Sequence, residues 1–226
     1  MSEEIQALRA NLFDHIIEAR RDKAVELLTG EGAAKGFGHA VHAILEPVLA
    51  EIGERWARDR LSLAQGYVAG KVAEDILRKM AESTPFPAGE RKGPVVIGNI
   101  EDDHHALGRK MVAIFLASAG WEVVDLGNDV LPTRFVDTAE ESGARIIGVS
   151  AMMLTTAENI LLVRRELDRR GLGGRVQLAV GGAVINLRPE LVPRVGGDGT
   201  CANAIQAPAL FDRLWARALE TERGAS

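Results

Sequence analysis

One cysteine, Cys201, stands among the 226 residues of this chain. No internal disulfide can form, and no cysteine spacing suggests zinc. Aromatic residues are also scarce, at 4%, so Ala, Val, Leu, Ile and 24 Gly must build the interior. That composition suits helices packed on a sheet. Positive charge is in deficit, and the net charge of −5 speaks against a nucleic-acid surface, which needs a basic face. No apolar run approaches the length of about 18 residues that would suggest a membrane helix. The opening "MSEEIQALRA" is acidic and amphipathic, unlike a signal peptide. A cytoplasmic globular protein is the default expectation, long enough for one large domain or two small ones.

The first 82 residues have a helical period. Ile5, Leu8, Leu12 and Ile16 form one apolar stripe at spacings of three and four. The run "FGHAVHAILEPVLAEIGERW" puts Val41, Leu45, Val48, Leu49, Ile52 and Trp56 on one face. Pro47 inside it should kink or divide the helix. A further run, "SLAQGYVAGKVAEDILRKM", opens on Ser62 as an N-cap and carries Leu63, Val68, Val72, Ile76 and Met80 on its apolar side. With the short segment "KAVELLTGEG", these predict a four-helix bundle over residues 1–82.

Residues 83–93 are rich in Pro, Gly and polar side chains and have the composition of a linker. From residue 94 to 226 the period changes. "VVIGNI", "WEVVDLG", "RIIGVSA" and "VQLAVGG" are short β-branched runs, as expected of strands covered on both faces. Helix-length stretches separate them, and "GGDGTCANAIQAPALFDRLWARAL" should add a short strand and a last helix. The alternation predicts an α/β domain with a doubly wound, parallel sheet of five strands. Ligands of such sheets sit at the carboxyl ends of the strands. The loops there are "NIEDDHHALG", "LGNDVLP", "SAMMLTT" and "GGAVIN", and they hold the unusual chemistry of this half.

In the first of those loops, Asp103 is two residues before His105, near enough for a carboxylate oxygen to reach an imidazole N–H. Such a partner fixes the tautomer and raises the basicity of the other ring nitrogen, as around a metal-ligating histidine. Gly108 leaves clearance at a helix start. Taken alone, the spacing favours a plainer alternative in which Asp103 caps the helix and both histidines are solvated. The other loops add Ser150, Thr155 and Thr156 as hydroxyls and Gly181-Gly182 as a strand end without side chains. Helix capping by Thr155 or Thr156 and an ordinary turn at Gly181-Gly182 are the corresponding alternatives. Together, these groups suit a large flat ligand with a polar tail running down into the sheet.

The second half resembles the cobalamin-binding domain of methionine synthase, corrinoid methyl-carrier proteins and B12-dependent mutases, over roughly residues 93–220. Asp103-His104-His105-Ala106-Leu107-Gly108 matches that family's D-x-H-x-x-G. Residues 109–149 separate it from Ser150-Ala151-Met152, and residues 153–180 lead to Gly181-Gly182; both spacings fit. "GGDGTCANA" is similar to the family's closing G-A-D-G stretch. The resemblance implies that His105 is the lower axial ligand of cobalt, in place of the cofactor's own base, the state called base-off/His-on. It implies that Asp103 holds the His105 imidazole and that Thr156 completes the relay. The displaced base would enter a channel near Ser150 and Gly181-Gly182. Met152 stands where the family has Leu, Asp102 where it often has Gly, and Ala106 where it often has a second Asp. None of these departures removes a ligand.

"LEPVLAEIGERWARDRLSLAQGYVAGKVAEDIL" resembles the helical cap that precedes this domain in methyl carriers and in B12-dependent light sensors. The cap implies that Trp56 lies near the corrin's upper face, although a core Trp between helices would show the same spacing. The sensors continue with Glu-His, where this chain has Gly66 and Tyr67. The expected function is a corrinoid protein that carries a methyl group on cobalt between partner methyltransferases, a carrier subunit more than a complete enzyme. Its rival is a B12-dependent sensor or antirepressor acting through a regulatory protein partner. A mutase-like subunit and a metal-free flavodoxin-like domain are weaker alternatives. Methylcobalamin and adenosylcobalamin both remain open as the cofactor form, as does the oligomeric state, a homodimer included. No direct nucleic-acid or membrane contact is expected.

Overall fold

The structure, a computed structural model, describes residues 3–56, 58, 60–83 and 91–224. Most of the expected linker at 83–93 lies outside the described residues, as does the side chain of Trp56. The chain divides into two compact units, Met1–Pro85 and Phe86–Ser226.

The first unit is helical: α1 (Glu3–Ile17), α2 (Arg21–Lys35), α3 (Phe37–His39) leading into a π-helical segment (Ala40–Leu45), α4 (Glu46–Trp56) and α5 (Leu63–Ser83). α5 begins on a reciprocal cap. The Ser62 Oγ accepts from the Gln65 backbone N–H at 3.3 Å, and Gln65 Oε1 accepts from the Ser62 N–H at 2.9 Å. Each side chain thereby satisfies a backbone donor that the helix start leaves open. One face of α5 buries Val72, Ala73, Ile76, Leu77 and Met80, and Leu12, Ile16, Leu28, Ile44 and Val48 are buried from the other helices. Pro47 does not break its helical run, but it leaves a mark on it. The helix widens into the π segment just before it. The Ala43 carbonyl, four residues before Pro47 and deprived of an N–H partner there, accepts from Arg9 Nε at 2.8 Å instead.

The second unit is a sheet with helices on both faces. In chain order it runs β1 (Lys92–Asn99), α6 (Ala106–Ser118), β2 (Trp121–Asp125), α7 (Pro132–Ser142), β3 (Ile146–Ser150), α8 (Leu154–Arg169), β4 (Gln177–Gly181), the short helices α9 (Ala183–Leu187) and α10 (Leu191–Arg194), and α11 (Ala207–Gly224). All pairings are parallel, in the order β2-β1-β3-β4. Strand alternation sorts the core into two layers. Val96, Ile147, Leu178 and Val180 pack with Phe135, Val136, Ile160 and Val163. Val95, Ile97, Ile146 and Ala179 pack with Leu116, Leu210, Phe211 and Leu214. Burial of each such aliphatic side chain contributes about 1.5–3 kcal/mol. Packing is tight against the central strand, since a Cβ on Gly98 would lie 2.7 Å from the Phe135 ring.

The sheet corrects the expectation of five strands: among the described residues it has four. The would-be fifth is reduced to one bridge, Gly199 to Ala179. Two local features stop it. The Asp198 carboxylate, ion-paired to Arg164, accepts the Leu178 N–H at 2.6 Å, a donor that a neighbouring strand's carbonyl would have taken. Gly199 is also pressed against Leu210, where a Cβ would meet Leu210 Cδ1 at 2.8 Å.

β1 connects to β2 on one side and β3 lies on the other, so the strand order reverses between the ends of β1 and β3. A crevice opens at such a reversal, outside the carboxyl ends of the strands.

Candidate functional site

Asp103 sits in that crevice, fully buried in the loop that leaves β1. Its Oδ1 accepts from Asn99 Nδ2 (2.9 Å), the His105 backbone N–H (2.9 Å) and His105 Nδ1 (3.2 Å). Its Oδ2 accepts from the Met152 backbone N–H at 2.6 Å, across the reversal from the loop after β3. The Thr156 hydroxyl has one hydrogen for two acceptors, Asp103 Oδ2 at 3.2 Å and the Met153 carbonyl at 3.0 Å. Burial by itself would push the Asp103 carboxyl up. The hydrogen bonds from Met152, His105 and Asn99, with the nearby His105 ring, outweigh it and hold the group below the usual carboxylate range. Asp103 is therefore an anion at neutral pH.

An ionised carboxylate can only accept, so the hydrogen between Asp103 and His105 belongs to Nδ1. In the neutral ring, Nε2 then keeps its lone pair. The His105 side chain is 52% exposed, so a buried anion orients a ring that solvent or a ligand can reach. His104 is exposed as well, but its backbone carbonyl, not its ring, is what the loop uses: it accepts from Asn128 Nδ2 at 3.3 Å. The loop is further braced by the Asp102 N–H donating to Asp129 Oδ1 at 2.9 Å.

The helix-capping alternatives do not describe these side chains. Asp103 binds the N–H of His105, before α6 begins, and α8 starts without a side-chain cap. Thr156 is buried beside Asp103, whereas Thr155 is exposed in the first turn of α8. Met152 enters the site through its backbone; its side chain is exposed. Gly181 and Gly182 differ sharply. A Cβ on Gly181 would meet nothing within 4 Å, and the same holds for Gly108. Gly182 has φ +110°, and its Cβ would fall 2.0 Å from the Ala151 carbonyl oxygen.

Beside Ser150 and Gly181 a small cleft of about 60 Å³ runs down one face of the sheet. Gly98, Gly148, Val112, Leu210 and Phe211 are among its lining residues. The Cys201 thiol also lines it, its pKa raised by burial. The preceding residue, Thr200, has a buried hydroxyl with no hydrogen-bond partner. Exposed apolar side chains stand at the same edge: Leu131 after β2, Met152 and Met153 after β3, and Leu154 at the start of α8. An apolar rim, an open ring nitrogen and a cleft floored by glycine suit a broad ligand with an appended group.

Two residues of the site escaped sequence analysis. Asn99, at the end of β1, is fully buried and binds both Asp103 and, at 3.2 Å, the His105 carbonyl. Arg109, buried on α6, donates from Nε to Asn99 Oδ1 at 2.9 Å and also contacts Asp125 and Asn128. The signals were there: a lone amide in an otherwise apolar strand, and a cation on the inner face of a helix.

Residues 93–208 match the model of the B12 binding domain, and residues 8–79 match a second B12 binding domain model. The chain belongs to the B12-binding family. Its cofactor is accordingly cobalamin, a corrinoid with cobalt at its centre. The dimethylamine corrinoid protein of Methanosarcina barkeri is 30% identical over 212 residues, covering 93% of this chain and 99% of that one. The monomethylamine corrinoid protein of Methanosarcina barkeri shares the fold at a TM-score of 0.80 and 23% identity, over 92% of this chain and 99% of that one. The methanol:cobalamin methyltransferase complex MtaBC of the same organism matches at a TM-score of 0.52 and 22% identity, covering 93% of this chain and 80% of that one. No described helix of this B12-binding protein is long and apolar enough to cross a membrane.

Proposed function

We propose that this B12-binding protein is a corrinoid methyl carrier, holding its cofactor base-off and His-on, with His105 as the lower ligand of cobalt. Bound cobalamin supplies a metal centre that can accept a methyl group from one methyltransferase and yield it to another. The chain's own residues do the holding. Asp103 keeps the Nδ1 hydrogen of His105 in place and leaves Nε2 as the donor to metal. The Met152 N–H and the Thr156 hydroxyl anchor Asp103 from the other strand loop. Gly108 and Gly181 leave room where side chains would obstruct, and the cleft beside Ser150 is the proposed entry for the displaced base. Gly182 lets the chain turn against Ala151. Thr155, exposed at the same edge, completes the proposed set of cofactor contacts from the α/β unit.

The observation that carries this proposal is the buried Asp103 anion bound to a half-exposed His105 at the crevice of the sheet. Relatives named as methylamine corrinoid proteins, and a fold shared with a methyltransferase complex, support a carrier over a sensor. The expected partners are therefore separate methyltransferases.

Purified protein incubated with hydroxocobalamin and desalted should keep the cofactor's colour and show a His-on visible spectrum. His105→Ala should retain bound corrinoid at reduced affinity and lose that spectrum. An unchanged spectrum in His105→Ala would remove His105 from the ligand role. Failure of the loaded protein to be reduced and remethylated by any methyltransferase partner would remove the carrier role.

A further inference from the structure

The geometry points to Asn99 as a positioning residue for the cobalt ligand, with its own orientation set by Arg109; the inference rests on His105 being that ligand. Asn99 is fully buried and Arg109 nearly so. A guanidinium can only donate hydrogen bonds. Arg109 Nε lies 2.9 Å from Asn99 Oδ1, so the amide must turn its oxygen toward Arg109 and its NH2 toward the site. That NH2 then reaches two acceptors at once, Asp103 Oδ1 at 2.9 Å and the His105 backbone carbonyl at 3.2 Å. One amide thus pins both the carboxylate that orients the imidazole and the backbone that carries it.

The spacing of charge is as informative as the contacts. Arg109 is itself held by Asp125 and Asn128, with Asn99 between it and Asp103. A guanidinium bound directly to Asp103 would spend the carboxylate's charge on an ion pair. The intervening amide passes on direction without charge, and the anion remains available to the His105 ring. The hydrogen-bond chain has one possible sense: Arg109 donates to Asn99, Asn99 to Asp103, and His105 Nδ1 to the same carboxylate. It ends with the lone pair on Nε2.

The test reads the identity of the axial nitrogen. Full-length protein grown with 15N-histidine is loaded with cobalamin, reduced to Co(II) and examined by electron paramagnetic resonance. An axial 15N splits the cobalt lines into doublets, whereas the cofactor's own 14N base gives triplets. Wild type should give doublets. Asn99→Leu and Arg109→Met should each shift the ligation equilibrium away from the doublet by about tenfold, the scale of losing a partner behind a metal ligand. Arg109→Lys, which keeps a cationic donor facing Asn99, should stay near wild type. A wild-type doublet fraction in Asn99→Leu overturns the inference. Should Asn99→Leu not fold, a wild-type fraction in Arg109→Met overturns it, as does equal loss in Arg109→Lys and Arg109→Met. His105→Ala serves as the separate control: if it keeps the wild-type signal, the ligand assignment has failed and not the positioning role alone.

Discussion

Each unit of this protein buries an aspartate, and the two are treated in opposite ways. In the helical unit, Asp75 is gripped by two cations: Arg21 Nη2 at 2.6 Å and Arg78 Nη2 at 2.8 Å. Its charge is cancelled where it stands. In the α/β unit, Asp103 meets no cation directly; backbone N–H groups, an amide, a hydroxyl and an imidazole surround it. Those donors stabilise the anion without neutralising it. The difference separates a side chain that ties helices together from one that orients a histidine ring. A buried charge that is already paired has little left to offer a cofactor. A charge held by neutral dipoles can still polarise the histidine beside it.

The same contrast between closed and open recurs in neighbouring glycines, and breaking it should give the largest effect. Gly182→Ala forces a side chain onto the Ala151 carbonyl at a positive φ and should destabilise the α/β unit by about 3 kcal/mol or more. Gly181→Ala, with open space before it, should leave urea unfolding unchanged and act only on cobalamin binding. Equal destabilisation by the two would show that Gly181 is no part of a ligand cradle.

Next in size is Asp103→Asn. One carboxylate oxygen becomes an NH2 that faces donors, so about 1–3 kcal/mol of stability should be lost in urea denaturation. Asp103 also sets an acid limit. Its folded-state pKa is lowered, so its contribution is fully present above the unfolded value and fades as pH falls through the folded one. A stability profile of wild type against Asp103→Asn should therefore converge only below the ordinary aspartate range, under about pH 4. Convergence near neutrality would contradict an ionised Asp103.

The smallest effect is expected at Asp75→Asn. Arg21 and Arg78 are 48% and 66% exposed and can return to water when the pair is broken. The loss should be about 1 kcal/mol or less, and should diminish further in high salt. A loss matching that of Asp103→Asn would erase the distinction between the two aspartates.

Much of this architecture was legible in the chain. Strands covered on both faces must be apolar throughout, so "VVIGNI", "RIIGVSA" and "VQLAVGG" announce themselves, and each coincides with a strand. The capping of α5 by Ser62 was equally visible, because a cap is made within four residues. The truncated fifth strand was not. "GGDGT" reads as a strand end, and only the Asp198 carboxylate reaching Leu178, twenty residues back, takes the place of the missing pairing. Pro47 announced an irregularity, but the partner for the Ala43 carbonyl came from Arg9, 34 residues away.

For the site the division follows the same line. Sequence by itself put Asp103 two residues from His105 in the loop after a strand, since spacing along the chain is a property of the chain. Only the tertiary structure decided what Asp103 does. The Met152 N–H and the Thr156 hydroxyl reach its second oxygen from 49 and 53 residues away. Asn99 and Arg109 acquire a role only once a strand end and a helix face are brought together. Hydrogen-bond direction is fixed by which donors meet which acceptors in space. The fold, by ordering β1 next to β3, turned a short acidic stretch with two histidines into an anion, an oriented ring and one open nitrogen.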